Sequence, residues 1–230
     1  MSGILEDLAH QIPQELMTVS GRVFYSGRRA FANTGAVYLL GWNPGGDPDL
    51  QSGETISQCV EFARNEAPDL WSAYCDESWT GRPTGKARLQ LGVQHLLSKI
   101  GLSPRETPAS NLIFARSRQR SHIDDNTERT LIGKCWPFHV TVIQRLRPRA
   151  IICLGVATGQ AVRKRLGAAQ EIAKYVERNR RRWSSYAWQA STGLLVFGLT
   201  HPGRANWLDP SADPSEMVGS VLREQACEAS

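Results

Sequence analysis

The chain has 230 residues, 41% hydrophobic and 21% charged, enough apolar content for a packed core, and this excludes a disordered or collagen-like polypeptide. Its net charge of +5 sits in arginine clusters such as ARSRQRS and RNRRRW, which fit a polyanion partner and equally fit solvated helix faces. The five cysteines, Cys59, Cys75, Cys135, Cys153 and Cys227, contain no C-x-x-C pair, so they point to neither a disulfide framework nor a metal centre and suit a reducing cytoplasm.

The N-terminal MSGILEDLAHQIPQEL is acidic where a secretory signal is basic, and no apolar run reaches the ~20 residues that span a bilayer. A cytoplasmic protein without membrane contact is expected. Residues 36–40 (AVYLL) have the pattern of a strand buried on both faces, and they break into GWNPGGDP. GKARLQLGVQHLLSKIGL then puts Leu89, Val93, Leu96, Leu97 and Ile100 on one helix face and closes with Gly101. Residues 111–115 (NLIFA) predict a second strand, followed by Arg116 and Ser117. A helix is expected over 126–146, with Asp125 and Glu128 as its capping pair. Residues 150–154 (AIICL) predict a third strand, VATGQAVRKRL a helix, and 194–199 (LLVFGL) a fourth strand running into THPGR. Residues 168–192 carry no functional reading, and Arg178 to Arg182 within them read as a solvated helix end.

No repeat or linker interrupts this alternation, so a single α/β domain over 1–230 is expected, a three-layer α/β/α fold with a central, mostly parallel four-stranded sheet. In such sheets ligands bind outside the carboxyl ends of the strands. There the sequence places Gly41-Trp42-Asn43-Pro44-Gly45-Gly46, Arg116-Ser117, Gly155 and Thr200-His201-Pro202-Gly203-Arg204. Pro44 pushes Asn43 toward an extended backbone, and the two glycines remove side chains beside it, so one amide is presented at the edge. The same residues also compose an ordinary tight turn.

Taken in order, GWNPGGDP, SNLIFARS, AIICLG and LTHPGRANW resemble the motif set of the uracil-DNA glycosylase superfamily, over residues 36 to 207. GWNPG is similar to the G-x-N-P-G of its mismatch-specific and single-strand-selective monofunctional branches. HPGRAN is similar to the family's H-P-S-x-x-N, with Gly203 in place of Ser and one residue fewer before its Arg.

The resemblance implies a cofactor-free DNA glycosylase that flips a base out of DNA and hydrolyses its glycosidic bond. It implies catalytic roles for Asn43, positioning water, and for His201, donating to the pyrimidine O2 as charge develops there. Gly41, Trp42, Gly45 and Asn111 fall to base binding, with the Asn111 amide reading the base edge. Gly45 stands where strict uracil enzymes carry a Tyr, which implies room for 5-substituted pyrimidines. Arg116, Arg118, Pro202, Gly203 and Arg204 fall to DNA binding, joined by Arg120, and Arg204 or Trp207 to the wedge that fills the emptied stack. Phe62, Trp71, Tyr74 and Trp79 are the open choices for stacking on the base, and Asp47 is either a catalytic aid or a turn residue.

No activated lysine stands beside these motifs, since Lys86 and Lys134 lie elsewhere, so a monofunctional enzyme acting as a monomer is expected. Two other readings fit the residues. One is a nucleic-acid-binding protein that has lost catalysis; the other is a hydrolase of small N-glycosides.

Overall fold

A computed structural model describes residues 3–32, 34 and 37–228, so Ala36 of the first expected strand and the side chain of Cys227 lie outside the described residues. Strands β1 (Val37–Gly41), β2 (Ala109–Asn111), β3 (Ala150–Cys153) and β6 (Leu195–Gly198) pair in parallel, in the order β2-β1-β3-β6. Every residue of these four strands is buried, the burial that continuous branched runs anticipate.

Two further strands extend the sheet beyond the expected four. β4 (Gln170–Val176) and β5 (Ser184–Gln189) form an antiparallel hairpin on β6, giving a mixed six-stranded sheet ordered β2-β1-β3-β6-β5-β4. They come from the segment without a sequence reading. β4 is an edge strand whose side chains remain partly or fully exposed, and it carries Glu171 and Lys174, so it lacks the apolar run that marked the others. Arg178 to Arg182 therefore lie in the turn of this hairpin, not at a helix end.

Helices in chain order are α1 (Ile4–Ala9), α2 (Arg28–Ala32), α3 (Ile56–Glu61), α4 (Ala73–Asp76), α5 (Arg88–Lys99), α6 (Asp125–Leu146), α7 (Val156–Leu166) and α8 (Ser215–Glu228). One sheet face buries Tyr38, Leu40, Ile151, Cys153 and Val196 against residues of α1, α6 and α7, including Leu8, Phe138, Val142 and Val162. The other buries Leu39, Ile152, Leu195 and Phe197 against Val93, Leu96 and Leu97 of α5 and Val218 and Leu222 of α8. Sheet alternation divides the core in two, which makes the fold three-layered.

Helix α5 ends as expected, with Gly101 at φ 72° and the Leu102 amide donating to the Leu97 carbonyl at 2.8 Å. The cap of α6 differs by one residue: the Asp124 carboxylate accepts from the Asn126 and Thr127 amides, both at 3.0 Å, while Glu128 pairs with Arg120. The expected strand over 111–115 is also displaced, because β2 ends at Asn111, beside Gly41 at the end of β1. Beyond it only the Leu112 and Ile113 amides still reach Gly41 and Trp42 carbonyls, while Leu112, Ile113 and Phe114 fill the core. Burial, rather than strand pairing, produced that apolar run. Among the described residues, no helix is long and apolar enough to cross a membrane.

Candidate functional site

The carboxyl ends of β1, β2, β3 and β6 open onto one cleft of about 1310 Å³. Gly41, Trp42, Asn43 and Gly45 enter it after β1, Asn111, Arg116 and Arg118 at and after β2, and His201, Gly203 and Arg204 after β6. Pro202, expected at a DNA surface, is instead buried: a Cβ on Gly92 of α5 would lie 2.8 Å from the Pro202 Cβ. Its ring fills the seam between the loop and α5.

The Asn-Pro-Gly-Gly turn fixes one amide in one orientation. Asn43 Nδ2 donates to the Pro44 carbonyl at 2.8 Å and to Ser117 Oγ at 2.9 Å. The Ser117 hydroxyl gives its own hydrogen to the Gln119 carbonyl at 3.1 Å, so toward Asn43 it acts as the acceptor. Both Asn43 donors are thereby engaged, and Oδ1 is the group left to meet a water in the cleft. The turn closes at Gly46, whose φ of 109° suits glycine and where a Cβ would lie 2.0 Å from Gln51 Oε1. That same Gln51 oxygen accepts from the Asp47 amide at 3.0 Å.

His201 has a defined tautomer. Its Nδ1 accepts the Gly203 amide at 3.1 Å, so in the neutral ring the proton is on Nε2. Burial, and then the Arg204 charge, lower its pKa from 6.5 to about 4, so the ring is neutral at pH 7 and donates through Nε2.

Asn111 is 6% exposed, and its Nδ2 donates to the Tyr25 hydroxyl at 2.7 Å. Gly41 is what admits that amide, since a Cβ there would be 2.0 Å from Asn111 Oδ1. Burial raises the Tyr25 phenol to about 12, so it stays protonated.

Tyr25, Tyr74 and Trp79 meet in one aromatic wall, with centroids 5.6 to 6.2 Å apart, and all three line the cleft. Of the four stacking candidates, Tyr74 and Trp79 are therefore at the site, whereas Phe62 and Trp71 pack on each other at 5.1 Å outside it. Arg22 also lines the cleft, its guanidinium 4.7 Å from the Tyr25 ring and bonded to Glu77 by both terminal nitrogens. Burial pushes the Glu77 carboxyl up, but the Arg22 hydrogen bonds and charge outweigh it and hold it below the ordinary range.

The arginines after β2 are committed to the protein. Arg116, its side chain 7% exposed, donates to the Gly45 carbonyl at 2.6 Å, Glu54 at 2.7 Å and Ser20 Oγ at 3.1 Å, so it braces the turn and is not a free phosphate ligand. Arg118 pairs with Asp47 at 2.6 Å, and that hydrogen bond holds the Asp47 carboxyl below its usual range. Asp47 does not line the cleft, which assigns it to the turn. Arg120 chelates Glu128 and lies 3.9 Å over the Trp42 ring. Arg204 and Arg88 line the cleft without an ion pair among the described residues. Trp207 is 1% exposed and donates to Thr200, so it belongs to the core, while its neighbour Leu208 is 50% exposed and lines a separate surface depression with Arg82, Lys86 and Arg88.

Tyr25, Trp183 and Tyr186 also line the cleft, and sequence reading missed them. Tyr25 precedes β1 in an unmarked loop; Trp183 and Tyr186 belong to the undetected hairpin. Among the described residues, no three His, Cys, Asp or Glu side chains gather to hold a metal ion. No protein-family model matches the chain, and no curated protein shows significant similarity to it.

Proposed function

We propose that the protein is a monofunctional DNA glycosylase that hydrolyses the N-glycosidic bond of uracil, or of a related damaged pyrimidine, in DNA. One observation carries the reading: a single cleft holds an asparagine with only its amide oxygen free, a neutral histidine with Nε2–H free, and a second, buried amide set in an aromatic wall.

A pyrimidine extruded from the helix stacks on Tyr74 or Trp79, and its edge meets the Asn111 amide, which can donate and accept at once. As the bond from the sugar C1′ to the base nitrogen breaks, positive charge grows on the sugar and negative charge on the base. His201 Nε2–H meets the developing charge at the pyrimidine O2. Asn43 Oδ1 accepts a hydrogen bond from the water that adds to C1′; that water loses a proton to solvent, and the released base anion takes one up. An abasic site remains. No lysine lines the cleft among the described residues, which favours hydrolysis over a Schiff-base route. Arg204 and Arg88 reach phosphates at the mouth, and Leu208 fills the vacated stack. The chain acts as a monomer in the cytoplasm, where its four described thiols stay free.

A non-catalytic binder is the second reading, favoured by one feature. The cleft carboxylates, Glu54 and Glu77, are both paired to arginines, so none is left to activate water. Labelled oligonucleotides carrying uracil opposite G, opposite A and single-stranded, tested beside free deoxyuridine, separate the readings. Alkali-sensitive breaks in DNA with no nucleoside turnover and no borohydride-trapped adduct are expected. Uracil-DNA binding without breaks would select the binder, and nucleoside cleavage the small-substrate hydrolase.

A further inference from the structure

The turn between β4 and β5, residues 177–183, rises beside the cleft mouth and is held more firmly than a surface hairpin requires. Glu177 is fully buried and pairs with Arg181 at 3.2 Å, while its Oε2 accepts from Asn179 at 2.8 Å. Arg181 donates onward to the Arg204 carbonyl at 2.8 Å, and the Arg178 amide donates to the Ser211 carbonyl at 2.7 Å. The turn is thus tied to the loop that carries His201.

Its tip presents one aromatic and a row of cations. Trp183 lines the cleft and is 40% exposed, with the Arg181 guanidinium 4.5 Å from its ring. One face being covered, the indole has room for one more planar partner. Arg180 and Arg182 are exposed and carry no ion pair or hydrogen-bonded side chain among the described residues. Bases stack on exposed aromatics and phosphates track neighbouring cations, a combination that grips single strands without regard to sequence.

We propose that this hairpin is a strand clamp: Trp183 stacks on a nucleotide flanking the extruded one, while Arg180 and Arg182 hold phosphates of the same DNA strand. The inference rests on the reading of the cleft as a DNA-base site and names the element that presents the strand to it.

Anisotropy titration of the full chain with a short labelled single-stranded DNA oligonucleotide lacking uracil tests the clamp. Trp183→Ala is expected to lower affinity roughly 5- to 150-fold, with Trp183→Phe retaining most of it. Arg180→Ala/Arg182→Ala is expected to reduce the slope of log affinity against log salt by about 1.4, two phosphates at about 0.7 each. Lys99→Ala/Arg223→Ala, on helix surfaces of α5 and α8, should leave both quantities unchanged. Equal binding by wild type and hairpin variants, or tighter binding of an RNA oligonucleotide of the same sequence, would overturn the clamp. Uracil excision measured on the same proteins keeps the two claims apart: hairpin-dependent binding without excision contradicts only the glycosylase reading, and excision with hairpin-independent binding contradicts only the clamp.

Discussion

The Asn43 amide has two possible orientations, and the Pro44 carbonyl, which can only accept, selects one together with Ser117. Because the Ser117 hydroxyl donates to Gln119, it can only accept from Asn43, which turns the amide oxygen toward the cleft. Ser117→Ala is therefore expected to slow excision roughly 3- to 10-fold in single turnover while leaving DNA affinity unchanged, and Ser117→Thr should retain the rate. A matching loss of affinity would assign Ser117 to DNA binding instead. Gly45 has open space around a Cβ and no positive φ, so a larger residue can be accommodated there. Gly45→Tyr should fold normally and cut excision of 5-substituted pyrimidines at least about tenfold relative to uracil; an unchanged ratio would remove Gly45 from the specificity pocket. Asn43 and His201 could be picked out because each follows an apolar run at a strand end, whereas Asn111 precedes its run and was singled out by the resemblance. Arg116 was misread because its partners Gly45, Glu54 and Ser20 lie 62 to 96 residues away in sequence, and nothing local marks them.

Among the elements, β1, β3 and β6 could be read from continuous branched runs, whereas β2 lies just before the run expected to form it, and β4 and β5 could not be read at all. A strand with one wet face and charged residues at the sheet edge carries a weak period-two signal, and the cleft-lining Trp183 and Tyr186 of the hairpin were lost with it. The contact of α6 with β1 makes a further prediction. Tyr38 Oη and His139 Nδ1 lie 2.9 Å apart in a fully buried site, where burial lowers the His139 pKa from 6.5 to about 3. An unfolded chain takes up this proton below pH 6.5 and the folded one does not, so the stabilisation is complete above pH 6.5 and is lost as pH falls toward 3. His201, at about 4, acts in the same direction. Each histidine costs on the order of 2 kcal/mol of stability between pH 6.5 and 5. Urea midpoints at pH 7.5 and 5 should show that loss, and Tyr38→Phe/His139→Leu should lose about half of it. An identical pH dependence in the variant would show that His139 is not kept neutral by the fold.

For the molecule as a whole, the number of arginines near the cleft overstates the free positive charge there, because Arg22, Arg116, Arg118 and Arg120 are all held by carboxylates. Arg88 and Arg204 line the cleft without an ion pair among the described residues, and Arg180 and Arg182 are exposed in the turn that carries the cleft-lining Trp183. Composition revealed the excess but not its location, since ion pairing is a property of the folded chain. The same fold brings Asn43 and His201, 158 positions apart by number, to one cleft at the carboxyl ends of β1 and β6, which β3 separates in the parallel part of the sheet. Single-turnover excision of uracil from a labelled oligonucleotide, by the wild type beside Asn43→Ala and His201→Ala, tests that convergence most directly. Each substitution is expected to slow base release by about 10²- to 10³-fold while DNA affinity stays within a few-fold. Release by the wild type that persists at an unchanged rate in both variants would contradict the account.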